Sequence, residues 1–331
     1  MRDNSMIEVY KIFENLQQKT PTHKEGFIVE SLPFSNFHKI GVSHEGFPLF
    51  FIECSNTYNA IDINLDLISV TFNRPCILYQ DIIKIKSLYT IISLKTINPD
   101  IQKYFIEIVI IIIKQFPKPI SDKQFKEEIQ KLIDLFKQFS QPAYKTIQGI
   151  WAELLIIEQS KHPEYLVQSW HLSPSDKFDF NDGKDKIEVK STSKIERIHK
   201  FSLEQLKPNN TSKLLVASVF VTETGKGKSI GDLSHNILKR INSLDLQFRL
   251  KEVISKTLGR DLEKSFDIYF DYQQAIDSIA FFDYKNIPTI KNDIPIEISN
   301  ISFNCNLSNI ETINNKDINL SGSTLFKSLQ L

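Results

Sequence analysis

The spacing of hydrophobic and polar positions changes more than once along the chain. From about Glu25 to Phe72 it alternates and is rich in β-branched and aromatic residues. Residues Phe27–Leu32, Leu49–Cys54 and Leu67–Phe72 read as short strands, punctuated by Pro33, Gly46, Pro48 and Pro75. Asn98-Pro99-Asp100 reads as a helix start, and Ile101–Phe116 as a buried helix halted by Pro117. Ser121-Asp122 is expected to cap a second helix, whose Phe125, Ile129, Leu132, Ile133 and Phe136 recur on one face. A third helix is expected from about Tyr144 to Ser160, after Gln141-Pro142.

Beyond Pro163 the period shortens to two. Strands are expected over Tyr165–Leu172, Lys177–Asn181 and Asp185–Thr192, then a short helix at Ser202–Leu206. Leu214–Thr222 is apolar enough for a central buried strand. Helices follow within Gly231–Ile254, and strands return at Ser265–Asp271 and Ile296–Leu307. The pattern predicts an α/β fold whose core runs αβββαβ from Gly149 over a mixed sheet. Three segments are expected: a β-rich module ending in a helix (1–120), a helical lead-in plus core (121–245) and an α+β extension (246–331).

The Asn181–Lys184 segment, with Asp182-Gly183 at its centre, is a strong hairpin signal. With those two residues as the turn, Asn181 pairs with Lys184, Asp179 with Lys186 and Phe178 with Ile187. Alternation then gathers Asp179, Lys186, Glu188 and Lys190 on one face and Phe178, Phe180, Ile187 and Val189 on the other. Asp179 and Glu188 become diagonal neighbours at roughly 7–8 Å, close enough to share a hard cation such as Mg²⁺, with Mn²⁺ as a substitute. Such a cation suits phosphodiester hydrolysis, in which Lys190 offsets charge on the transition state. The Val189 carbonyl is a further candidate ligand. A charged hairpin face is by default a solvated one. The reading as a site rests on the matched Asp179, the apolar opposite face and the apolar strand that follows.

Composition narrows the alternatives. Forty basic and forty acidic residues cancel, so contact with nucleic acid has to come from a local patch. Lys184, Lys186, Lys190, Lys194, Arg197, Lys200 and Lys207 outnumber Asp185, Glu188, Glu196 and Glu204 around the hairpin. That excess suits a phosphate backbone, or a solvated loop. Cys54, Cys76 and Cys305 are too scattered for a disulfide set or zinc site. The N-terminal text is too polar for a secretory signal, and Phe105–Ile113 is far shorter than the ~20 residues of a spanning helix; a cytoplasmic protein is expected. Thr224–Gly231 imitates a phosphate loop without its spacing and reads as a basic turn. His171 and His199 have no partner at metal spacing, and Trp151 and Trp170 read as core.

These residues resemble the PD-(D/E)xK, or restriction-endonuclease-like, superfamily. More narrowly they resemble an uncharacterised prokaryotic family of such nucleases found in anti-phage defence gene clusters. The text that carries the likeness is Gly149–Leu154, Trp170, Phe178–Phe180, Ile187–Thr192 and Phe201–Leu206. The resemblance implies a Mg²⁺-dependent DNA endonuclease, within a defence or restriction system and in company with its other subunits. It gives Asp179, Glu188 and Lys190 the catalytic positions. Glu153 would complete the metal site, and Gln205 would approach it from its helix. Lys177-Phe178 stands where the superfamily name has a proline. Enzymes of this fold often cut as homodimers. Some relatives have lost activity, so a catalytically silent subunit that binds DNA or proteins is the alternative.

Overall fold

The computed structural model describes residues 5–19, 27–53, 61–80, 82–116, 122–173, 175–209, 211–291, 294–295 and 297–329. Two compact units divide it, Met1–Gln138 and Phe139–Leu331. Ser121, expected as a cap, and Cys54 lie outside the described residues. Cys76 and Cys305 are buried free thiols.

In the first unit, α1 (Ser5–Gln18) precedes β1 (Phe27–Leu32), β2 (Ser35–Val42), β3 (Pro48–Glu53), β4 (Ile63–Asn64), β5 (Ile68–Gln80) and β6 (Ile83–Leu94). The strands run β1-β2-β3-β6-β5-β4, and a parallel β1–β5 pairing closes five of them into a ring. The expected strand at 27–32 coincides with β1, and those at 49–54 and 67–72 overlap β3 and β5 over residues 49–53 and 68–72. α2 (Pro99–Gln115) begins as expected, with Asn98 Oδ1 accepting from the Asp100 and Ile101 amides at 3.0 and 3.1 Å. Its side chains from Ile101 to Ile113 are buried apart from Lys103, and Phe105 meets Phe50 edge-on. α3 (Asp122–Lys137) packs on α2 through Phe136 and Phe105.

The second unit opens with α4 (Ile147–Gln159), capped by Thr146, whose Oγ1 accepts from the Gly149 amide at 3.1 Å. α5 (Pro163–Ser169) follows. It stands where a strand was expected over Tyr165–Leu172. Pro163 opens a helix well, and Leu166, Val167 and Trp170 are spaced for a helical face as readily as for a strand. Next come β7 (Phe180–Asn181), β8 (Lys186–Thr192), β9 (Ile198–Ser202), a 3-10 turn (Leu203–Leu206) and β10 (Leu214–Phe220). β11 (Glu223–Thr224), α6 (Ile230–Leu238), α7 (Leu244–Leu258), α8 (Leu262–Ser265), β12 (Tyr269–Phe270), α9 (Tyr272–Asp277) and β13 (Ala280–Asp283) then lead to β14 (Ser302–Asn306), α10 (Asn315–Leu320) and α11 (Thr324–Leu329). The strand expected over Ser265–Asp271 shrinks to two residues because Leu262–Ser265 continues as helix.

The principal sheet runs β13-β10-β8-β7, with β10 parallel to β8 and buried at its centre. β9 pairs instead with β14. The sheet's edge strand β13 therefore comes from the segment after 245. Among the described residues no helix is long and apolar enough to cross a membrane.

Candidate active site

The β7–β8 hairpin is wider than its Asp-Gly turn suggests. Asn181 pairs with Lys186 and Phe180 with Ile187, so four residues, Asp182–Asp185, form the loop. Asp182 causes the shift. Its Oδ1 accepts from the Lys184 and Asp185 amides at 2.9 and 2.7 Å, a side-chain turn that leaves Gly183 at φ +90°. The expected pairing of Asp179 with Lys186 is thereby displaced by two residues, and Asp179 falls level with Glu188.

Asp179 lies just before β7 and is held from several sides. Its Oδ2 accepts the Val189 amide at 2.6 Å, and its main-chain carbonyl accepts from the His171 amide at 2.8 Å. Its Oδ1 accepts from Lys145 Nζ, which also donates to Glu153 Oε1 at 2.6 Å. Glu153 Oε2 in turn accepts from Trp170 Nε1 at 2.7 Å and lies 2.9 Å from His171 Nε2. Glu153, expected as an accessory acid, is thus a buried hub on α4, met by Lys145 from just ahead of that helix and by Trp170 and His171 from just after α5.

On β8, Glu188 Oε1 lies 2.7 Å from Lys190 Nζ and accepts from Gln205 Nε2 at 2.6 Å. Gln205 Oε1 accepts from Lys190 Nζ at 3.2 Å and from the Ser202 amide at 3.0 Å. The 3-10 turn is therefore capped by the same amide that joins Glu188 to Lys190. Residues Lys186 and Glu188 are 6% and 4% exposed, so the charged face of this hairpin is buried, not solvated. Glu188 Oε2 is buried and, among the described residues, no group hydrogen-bonds it.

Burial sets the electrostatics. It pushes the Glu188 carboxyl up to about 7, helped by the charge of Asp179 and opposed by Lys190. Asp179 is raised for the same reason, with Glu153 adding to burial and Lys145 opposing it. For Glu153 the balance reverses: burial would raise it, but Lys145 and His171 together hold it below the usual carboxylate range. Burial also works against the Lys145 charge, yet its two carboxylates outweigh it and keep the ammonium protonated.

Thus Asp179, Glu188, Lys190, Glu153 and Gln205 converge. Val189 joins them through its amide; since the N–H and C=O of a strand residue point to the same side, its carbonyl also faces Asp179. Two residues of this cluster escaped the sequence. Lys145 carries no local signal. His171, expected to lack a partner, offers a ligand atom within 4.8 Å of those of Glu153 and Asp179, and the three make up a potential metal-binding group.

Other features resolve structurally. Arg197, counted with the basic patch, donates from Nη1 to Ser218 O and Oγ at 3.0 and 2.8 Å and lies over Phe220. Lys184, Lys194, Lys200 and Lys207 are exposed. In the Thr224–Gly231 turn, Ser229 caps α6. Gly227 has φ +128°, and a Cβ there would lie 2.0 Å from the Phe270 carbonyl, so β12 dictates the glycine. Both tryptophans are buried.

A family model described as "Putative PD-(D/E)XK family member, (DUF4420)" matches residues 10–308. No curated protein and no solved structure matches the chain.

Proposed function

The chain belongs to the PD-(D/E)XK family over residues 10–308, and from that premise we propose that it is a Mg²⁺-dependent endonuclease that hydrolyses DNA phosphodiester bonds. One observation carries the metal site: a buried Glu188 oxygen without a hydrogen-bond partner among the described residues, on a carboxylate next to Asp179. A buried carboxylate left this way is costly unless a cation satisfies it. All the oxygen donors at this end of β8 are hard, which fits Mg²⁺ or Mn²⁺. Asp179 and Glu188 would hold the ion with the Val189 carbonyl. Bound there, it supplies Lewis-acid polarisation of the scissile phosphate.

The chain's own residues do the rest. Lys190 stays beside Glu188 and directs its ammonium protons at the attacking water and the phosphoryl oxygens, offsetting charge as it accumulates. Gln205 fixes Glu188 and Lys190 relative to one another. The Val189 amide fixes Asp179 against β8. Exposed Lys184, Lys194, Lys200 and Lys207 supply backbone contacts to the nucleic acid. We place the activity in a prokaryotic restriction or anti-phage defence system, on the resemblance of the motif text.

The test is cleavage of supercoiled plasmid with Mg²⁺, Mn²⁺ or EDTA, beside Asp179→Ala and Lys190→Ala. Nicking or linearisation that requires metal and disappears in both variants is expected. Cleavage that persists in both variants removes this cluster from the reaction. A folded protein that binds DNA without cutting it points to the silent-subunit alternative.

A further inference from the structure

Two cation positions are built into this cluster, and the chain itself fills one of them. Glu153, His171 and Asp179 bring ligand atoms within 4.8 Å of one another, a spacing that suits a metal ion. Lys145 Nζ sits against that group, 2.6 Å from Glu153 Oε1 and hydrogen-bonded to Asp179 Oδ1. The lysine is reached from just ahead of α4, and its side chain is three-quarters buried. The remaining Glu153 oxygen is also taken, by the Trp170 indole and His171. At the Glu188 end the situation is the opposite. Lys190 and Gln205 share Oε1, and Oε2 is buried without a hydrogen-bond partner among the described residues.

Charge gives the same count. Three buried carboxylates, Glu153, Asp179 and Glu188, face two ammonium groups, Lys145 and Lys190. With the His171 imidazole neutral, as a metal ligand must be, one negative charge is left unmatched. One divalent ion more than neutralises it. A second, bound at Glu153 and Asp179, would stand within contact range of the Lys145 ammonium and be repelled by it.

We propose that Lys145 is the resident cation of the Glu153–His171–Asp179 position, so that this site takes a single divalent ion, at Asp179 and Glu188, where a pair of ions would otherwise fit. The inference rests on the reading of Asp179 and Glu188 as cation ligands. Lys145 acts through the carboxylates it neutralises: it holds Glu153 and Asp179 in place and excludes a second ion. His171 therefore stays off the metal.

Counting ions tests this without reference to activity. Mn²⁺ titrated into the full chain, followed by the electron-spin-resonance signal of free Mn²⁺, is expected to saturate at one ion per chain. The bound ion should show no coupling to an imidazole nitrogen. Lys145→Met is expected to bind a second Mn²⁺, with imidazole coupling that disappears in Lys145→Met/His171→Ala. Lys145→Arg, which keeps the cation, should stay at one. Two ions in the wild type, imidazole coupling in the wild type, or a folded Lys145→Met that still binds one would each overturn the inference. If Lys145→Met does not fold, the wild-type count and spectrum decide. A folded wild type that binds no Mn²⁺ overturns the metal-site reading itself, an outcome distinct from binding two.

Discussion

Asp179 Oδ2 accepts the main-chain N–H of Val189 across 2.6 Å, and this bond stands where a longer β7 would have placed a ladder hydrogen bond. β7 pairs with β8 at only two residues, Ile187 and Lys186, so among the described residues no strand carries that ladder on to Val189. A side-chain carboxylate finishes the pairing that the backbone leaves undone. The arrangement ties a charged group to a rigid strand and still presents its other oxygen to Lys145.

Substitutions at Asp179 separate that anchoring from the charge. Asp179→Asn keeps an oxygen for the Val189 amide, whereas Asp179→Ala leaves the amide buried without a partner, at about 1–3 kcal/mol. Both should lose metal-dependent cleavage by at least ~10²-fold. Denaturant midpoints should fall in Asp179→Ala well below those of Asp179→Asn. Equal midpoints would remove the structural role assigned to this bond.

How far this cluster was legible follows from its distances along the chain. Glu188 and Lys190 lie two residues apart on one strand, so alternation alone places them together. Asp179 came into view through the hairpin, although the turn residue Asp182 moved the register by two. Lys145 and His171 had no such route. They reach Asp179 and Glu153 from 34 and 18 residues away, through packing that no local period records. The helix α5 was hidden because Leu166, Val167 and Trp170 satisfy both periods. In the first unit, β2 was missed because its alternation is interrupted by Lys39, which is buried and donates to Ser31 Oγ and Gln80 Oε1.

Glu188 and His199 should give opposite pH dependences of stability. Glu188 is raised from 4.5 to about 7 in the folded chain, so the native state binds the extra proton between those values. Its contribution is present below pH 4.5 and is lost as pH rises through about 7, by roughly 3 kcal/mol. His199, buried and 2.8 Å from Ser218 Oγ, is lowered from 6.5 to about 4 by burial, aided by the charges of Lys190 and Arg197. There the unfolded chain binds the extra proton, and stability falls as pH drops from 6.5 towards 4, by a similar amount. Denaturation in EDTA should show Glu188→Gln gaining stability over the wild type mainly above pH 6. His199→Gln should flatten the loss on the acid side. Parallel wild-type and variant curves would contradict both shifts.

Gln205 is expected to matter more than an exposed helix amide would. Gln205→Ala removes a donor from Glu188 and the acceptor for the Ser202 amide, together about 1–2 kcal/mol of stability. With Glu188 and Lys190 no longer held together, cleavage should fall ~10–100-fold, and the Mg²⁺ concentration for half-maximal rate should rise. A variant with wild-type rate and metal dependence would assign Gln205 to capping alone.

The basic residues around the hairpin divide into two groups that salt can distinguish. Lys194 and Lys200 are exposed. If each contacts a phosphate, each alanine variant should reduce the slope of log binding constant against log salt by ~0.9 on duplex DNA, with the melting temperature unchanged. Arg197 is different, because its guanidinium bonds Ser218 and the Ser278 carbonyl and covers the Phe220 ring. Arg197→Ala should remove a half-buried donor from the Ser218 and Ser278 acceptors and lower stability by about 1–3 kcal/mol. Its salt slope should not change. A slope that falls in Arg197→Ala and holds in the two lysine variants would reverse the division: the half-buried guanidinium would then meet the phosphate, and the exposed lysines would only solvate the hairpin.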